Sequence, residues 1–234
     1  MNAAFYNAIR KLFDGSLSQE QVNGFEVIGE AWDKAGDGNL RNLAYILATA
    51  YHETARTMQP VRETLADTDA KAKARLTKAW KAGKLAWVKS DYWSGGFFGR
   101  GFVQLTHKAN YLKAGQKLGL DLVADPSKAM VPEVAALILV RGCLEGWFTG
   151  KKLSDFPSDF MSARSVVNGS DRALLIAGYA YTFLNALEVS KEPAKPSPAP
   201  IPPAPAPKPP VGLWQALWAI VIAIIERITK GKSQ

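Results

Sequence analysis

Ten of the chain's 14 prolines fall in one run, "PAKPSPAPIPPAPAPKPP", between Pro193 and Pro210. Each proline fixes φ and removes a backbone donor, so a run this dense cannot join a packed core. It extends instead as polyproline II, at about 3.1 Å per residue. The run therefore divides the chain into a folded domain over 1–190, a Pro/Ala-rich linker over 191–210 and an apolar helix over 211–230. A domain of about 190 residues buries about 70% of its unfolded surface, enough for a sizeable core. The 234 residues hold 29 Lys plus Arg against 21 Asp plus Glu, a formal charge of +8. Six Lys or Arg and two Glu lie in residues 190–234, leaving +4 for everything before them. Such a balance suits an anionic partner (nucleic acid, a membrane surface or an acidic cell-wall polymer) without choosing among them.

Before the linker the periodicity is helical. "SQEQVNGFEVIGEAWDKAG" opens with Ser18 and Gln21 in capping-box spacing and sets Val22, Phe25, Ile28 and Trp32 on one face. "NLRNLAYILATAYHETA" places Leu40, Leu43, Leu47, Ala50 and Tyr51 on a stripe, and "PEVAALILVRGCLEGWF" begins with Pro132 at a first helical position. "SDFMSARSVVNG" stops at Gly169, and "DRALLIAGYAYTFLNALE" is expected to start from Asp171 as its cap. Long strands of period-two alternation are missing, and "GGFFGRGFVQLT" suggests an irregular loop or short hairpin. The class is mainly α with little sheet. The single cysteine, Cys143, lies in an apolar stretch and is expected to be a small buried hydrophobe.

Several chemistries lack their residues. His52-Glu53 resembles the start of a zinc-protease helix, but Arg56 stands where a second histidine is required. With two histidines and one cysteine, neither a zinc site nor a histidine-activated nucleophile is expected, and no metal or organic cofactor is called for. "GGFFGRG" lacks the Lys-Ser/Thr ending of a phosphate loop. Scattered aromatics and unstriped basic residues argue against nucleic acid. Carboxylates remain: "AYHETARTMQPVRET" sets Glu53 at the end of an apolar helix and Glu63 beyond a proline in a loop. Glycosidic cleavage needs two such groups. Desolvation would favour a protonated Glu53 as the acid, with Arg62 or Arg56 keeping Glu63 ionised. Spacing alone leaves open a second reading, two solvated surface charges. Tyr92, Trp93 and Phe97 are candidates for stacking on sugar faces or for core packing. Trp80 and Trp87 lie in a basic segment read as a lobe flanking a cleft.

Three motifs in order, "YHET", "GRGFVQLTHKANY" over 99–111 and "ARSVVNG" over 163–169, resemble glycoside hydrolase family 19, which comprises chitinases and related bacteriophage endolysins. "YHETARTMQPVRE" and "GCLEGWFTGKKL" are particularly similar to endolysins of phages and prophages of Gram-negative hosts. The resemblance spans roughly residues 40–187. It implies a lysozyme-like α+β fold, two helical lobes flanking a cleft with a small sheet. Carried over by position, the resemblance implies Glu53 as the general acid and Glu63 as the second carboxylate, in a loop that departs from the chitinase pattern. Thr106 would assist the attacking water. Gln104, Asn110 and Asn168 would contact substrate, and Tyr111 would be a cleft aromatic. His52 is a further binding candidate, although its position diverges by about 100° from Glu53, which suits a structural histidine. The activity implied is inverting hydrolysis of β-1,4 links in peptidoglycan by a monomeric catalytic domain, with chitin hydrolysis and a catalytically dead glycan- or membrane-binding protein as alternatives.

The opening "MNAAFYNAIRKLF" has no apolar core of signal-peptide length, so synthesis in the host cytoplasm is expected, with action on the periplasmic wall. In "VGLWQALWAIVIAIIERITKGKSQ", Val211 to Ile225 carries no charge. As a helix that stretch is about 22 Å long, short of the about 30 Å hydrocarbon core. Trp214, Leu217, Trp218, Val221, Ile224, Ile225 and Ile228 share a bulky face, which favours a helix associated with an anionic membrane over self-association or docking onto the catalytic domain.

Overall fold

The computed structural model describes residues 1–86 and 88–191, so Trp87 and the linker and tail expectations over 192–234 lie outside the described residues. Helices α1 (Ala3–Ile9), α2 (Gln19–Ala35) and α3 (Leu40–Glu53) come first. A short strand β1 (Val61–Arg62), helix α4 (Asp69–Lys81) and strand β2 (Arg100–Gly101) follow. The chain continues with α5 (Lys108–Leu118), α6 (Pro132–Glu145), α7 (Phe160–Ala163) and α8 (Ala173–Val189).

Local signals set several of these boundaries. Ser18 and Gln21 form the reciprocal capping box that starts α2, satisfying two orphan N–H groups, and Phe25, Ile28 and Trp32 are buried on its inner face. Pro132 opens α6, where its missing N–H costs nothing, and Gly146 closes that helix in the left-handed conformation. Asp171 is not the cap of α8: Arg172 occupies that position at φ 56° and its side chain makes no capping hydrogen bond. Cys143 is buried and free, as an apolar helix face requires.

Two hydrophobic cores result among the described residues. The larger joins α3 packed on α8 with α2 packed on α6, around residues such as Phe25, Leu47, Leu139 and Phe183. A satellite core under α4 contains Leu76, Leu85, Trp93 and Phe98. Trp93 is fully buried there, so core packing rather than sugar stacking is its role. The sheet is two antiparallel strands with Val61 opposite Gly101 and Arg62 opposite Arg100; a bridge from Arg100 to Leu105 turns the glycine-rich segment back on itself. Among the described residues no helix is long and apolar enough to cross a membrane.

The loop that leaves α3 is clamped against α2 at Gly24. A Cβ on residue 24 would lie 1.6 Å from the Met58 carbonyl oxygen, a backbone atom that cannot swing aside. Gly24→Ala is therefore expected to destabilise the protein by about 3 kcal/mol, at the upper end of overpacking costs. Thermal denaturation checks this, and an unchanged midpoint would show that the loop does not press on α2.

Candidate active site

Glu53 is the last residue of α3, and its side chain is only 3% exposed. It is held there because α3 is buried over almost its whole length, and because Thr54 turns the chain, donating from Oγ1 to the Ala50 carbonyl and accepting from Met58 N–H. Facing it is Arg164, from a 3-10 turn over Arg164–Val166, with no exposed side-chain surface. Arg164 Nη1 stands 2.8 Å from Glu53 Oε1, an ion pair without the alignment of a hydrogen bond. Burial pushes the Arg164 guanidinium down, but Glu53 and Tyr45 more than offset that, so it is held in its charged form. Sequence reasoning missed this arginine. Its signal was an arginine between Ala163 and Val166, both buried, in a stretch with helical periodicity.

Glu63 follows β1 and is 4% exposed. Its backbone N–H donates to the Gly99 carbonyl at 2.7 Å, and the Gly99 N–H returns a bond of 2.7 Å to Glu63 Oε2. The Tyr92 hydroxyl donates to the other oxygen at 2.6 Å. Burial pushes this carboxyl above its ordinary range, although both donors and the Arg100 charge pull the other way. The expected arginine partners are engaged elsewhere. Arg62 pairs with Asp69 at 2.6 Å and Arg56 with Asp14 at 2.8 Å. The expected arginine counter-charge thus sits at Glu53 rather than at Glu63, and it is Glu63 that desolvation raises above its ordinary value. Tyr92 was a stacking candidate; its hydroxyl instead anchors Glu63, a contact across 29 positions that no local pattern shows.

The glycine-rich motif forms the floor beside Glu63. Gln104 Nε2 donates to the Val61 carbonyl, Thr106 Oγ1 to the Gln104 carbonyl and Asn110 Nδ2 to the Thr106 carbonyl. These side chains tie the motif to itself and to β1. A Cβ on Gly99 would meet Gln104 Oε1 at 2.6 Å and Thr106 Oγ1 at 3.2 Å, so Glu63, Gln104 and Thr106 converge on one glycine. Tyr111 is not a cleft aromatic: it is wholly buried on the inner face of α5, donating to the Phe98 carbonyl at 2.7 Å and accepting from Arg100 Nη1 at 2.9 Å. Asn168 is 4% exposed, and its Nδ2 carries no hydrogen-bond partner within the protein. His52 is mostly buried; desolvation lowers its imidazole below the ordinary value, in keeping with a structural histidine.

Backbone strain marks the same region. Nine non-glycine described residues have positive φ; three of them, Ala55, Arg56 and Met58, lie in the loop between the carboxylates, Thr64 and Leu65 directly follow Glu63, and Gln104 and His107 flank Thr106. Such conformations persist where surrounding structure over-determines them, characteristically at functional sites. Among the described residues, no group of three or more His, Cys, Asp and Glu is placed to hold a metal ion.

Comparison with known proteins agrees with this geometry. A match to the glycoside hydrolase family 19 profile, described as chitinase class I, covers residues 18–173. "Chitinase 11" of Oryza sativa subsp. japonica is 36% identical over 77 residues, which is 33% of this chain and 29% of that protein. The chain thus spans under a third of that relative's length. Among solved structures, a bacterial family 19 chitinase aligns with a TM-score of 0.53 at 19% identity, covering 80% of this chain and 94% of that one. Chitinase C from Streptomyces griseus HUT6037 aligns with a TM-score of 0.51 at 18% identity, over 81% and 78% respectively. Those two share the fold. The extent of the profile match, together with the carboxylates it spans, places the chain in glycoside hydrolase family 19, a family of glycosidases.

Proposed function

We propose that the protein is an endolysin-type glycosidase that hydrolyses β-1,4 bonds of bacterial peptidoglycan during host lysis. The observation that carries the glycosidase chemistry is the pair of buried carboxylates in opposite environments at the two ends of one strained loop. Glu53, which carries a proton when the bond is cut, gives it to the departing oxygen, and Arg164 pairs with the carboxylate left behind, the ionised state that the buried ion pair represents. Glu63, made more basic by burial, takes a proton from the attacking water, with Thr106 beside it. Water attacking from the face opposite the leaving group inverts the anomeric centre.

Two features support a wall polymer as substrate. The motifs "YHETARTMQPVRE" and "GCLEGWFTGKKL" resemble endolysins of phages of Gram-negative hosts. Charge adds to this: residues 67–91 carry seven Lys or Arg against three Asp, a net +4 that equals the whole surplus of residues 1–189. Lys78, Lys81, Lys84 and Lys89 of that lobe are exposed, and the lobe ends at Tyr92, which holds Glu63. Peptide-substituted glycan bears carboxylates that such a surface attracts, whereas chitin is neutral. Chitin hydrolysis is the second reading, favoured by the chitinases the chain is similar to. Turbidity of outer-membrane-stripped bacteria, measured beside release of soluble sugar from colloidal chitin, separates the two. Loss of turbidity that weakens with added salt is expected; sugar release from chitin alone would sink the wall reading.

The tail joins this proposal through its sequence. A chain ending at Ala194 is expected to keep hydrolysis of isolated peptidoglycan and to lose co-sedimentation with anionic liposomes. Full-length protein that stays in the supernatant would remove the membrane from the account.

A further inference from the structure

On α3, Tyr45, Thr49 and Glu53 recur at four-residue spacing and so stack along one edge of the helix. Tyr45 and Thr49 have no exposed surface. The Tyr45 hydroxyl, Thr49 Oγ1 and both terminal nitrogens of Arg164 are buried polar atoms without an aligned hydrogen-bond partner. The helical spacing sets Thr49 between Tyr45 and the Glu53 that Arg164 contacts, and the Thr49 and Tyr45 hydroxyls face each other. Arg164 Nη1 contacts Glu53, and the Arg164 charge opposes the rise that burial imposes on the Tyr45 phenol. Tyr45 in turn helps keep Arg164 charged. Cys143 of α6 borders the same charge: burial pushes its thiol up to about 12, with Arg164 pulling the other way. A guanidinium offers five donors and no acceptor, while each hydroxyl offers two acceptor lone pairs. Buried donors left unmatched are costly, which favours pairing the guanidinium donors with these hydroxyl acceptors.

We infer that Tyr45 and Thr49 are positioning residues for catalysis: their hydroxyls take the Arg164 N–H groups turned away from Glu53 and hold the guanidinium against that carboxylate. Three anchors then fix the planar fork. Nε donates to the Asp171 carbonyl at 3.0 Å, Nη1 faces Glu53, and the hydroxyl pair takes the rest. Neither hydroxyl reaches the bond being cleaved; both act through Arg164. The kinetic consequence rests on Glu53 being the acid, whereas the anchoring of Arg164 does not.

Tyr45→Phe and Thr49→Val each delete one oxygen and leave the side-chain shape nearly intact. Both are expected to lower kcat by about 10- to 100-fold with KM unchanged, the scale of a small misplacement of a catalytic group. In 15N NMR of the full-length protein, the Arg164 guanidinium protons should be resolved and slow to exchange in the parent, and should be lost in both variants. Thr49→Ser, which keeps the hydroxyl and drops only a methyl, should retain the parental kcat and the Arg164 signals. Arg164 signals that persist in folded Tyr45→Phe and Thr49→Val overturn the inference whatever the rates do. So does a Thr49→Ser protein as impaired as Thr49→Val, which would assign the effect to packing. Lost Arg164 signals with parental kcat would instead uphold the anchoring and remove Glu53 as the acid.

Discussion

Glu53→Gln is expected to lower kcat on peptidoglycan by two to four powers of ten, the usual contribution of general acid catalysis, about 10²- to 10⁴-fold. Gln has nearly the same shape but no proton to give. The same substitution also removes the carboxylate that Arg164 contacts, with both side chains at 3% exposure or less. Breaking a buried pair from one side costs about 3–5 kcal/mol, because it leaves the other charge uncompensated. The variant should therefore melt lower than the parent, and its rate must be read where circular dichroism shows it folded. A folded Glu53→Gln protein that clears walls near the parental rate would remove Glu53 from the chemistry. Parental stability would mean that Arg164 finds another counter-charge.

Glu63→Gln should also abolish most turnover, since the amide cannot accept a proton from water. Its stability should move the opposite way, and by a pH-dependent amount. Burial raises the folded-state value of Glu63 above that of the unfolded chain, so the folded state binds its proton more tightly. Stability from this source is complete below the unfolded value and is lost as pH rises through the folded one. Gln has no charge to bury and still accepts from the Gly99 N–H. Wild type and Glu63→Gln should therefore melt alike at pH 4, with the variant the more stable at pH 8. A gap that stays constant across that range would show that Glu63 is not desolvated as described. Full turnover by the variant would move the base to another residue.

How much of this was legible in the sequence depends on the range of the interaction. Helix starts were legible where a cap signal is local: Ser18 with Gln21, and Pro132. Asp171 failed as a cap because Arg172 takes a left-handed conformation and starts α8 itself. The carboxylates and the glycine-rich motif were legible as chemistry, but their surroundings were not. Arg62 and Arg56 looked like partners of Glu63 because they are close in sequence, whereas acidic residues closer in space, Asp69 and Asp14, claim them. Tyr92 and Arg164 reach the two carboxylates from distant segments, and no periodicity records such contacts. Tyr111 matched a motif position, yet the face of α5 it occupies points into the core.

The most direct measurement is mass spectrometry of the soluble fragments released when the protein digests purified Gram-negative sacculi, with Glu53→Gln as the parallel digest. Hydrolysis of the glycan strand predicts disaccharide-peptide fragments with one new reducing end per cut, and almost none from the Glu53→Gln digest. Intact sacculi beside soluble oligosaccharides from chitin, or fragments cut only in their peptide stems, would contradict the account.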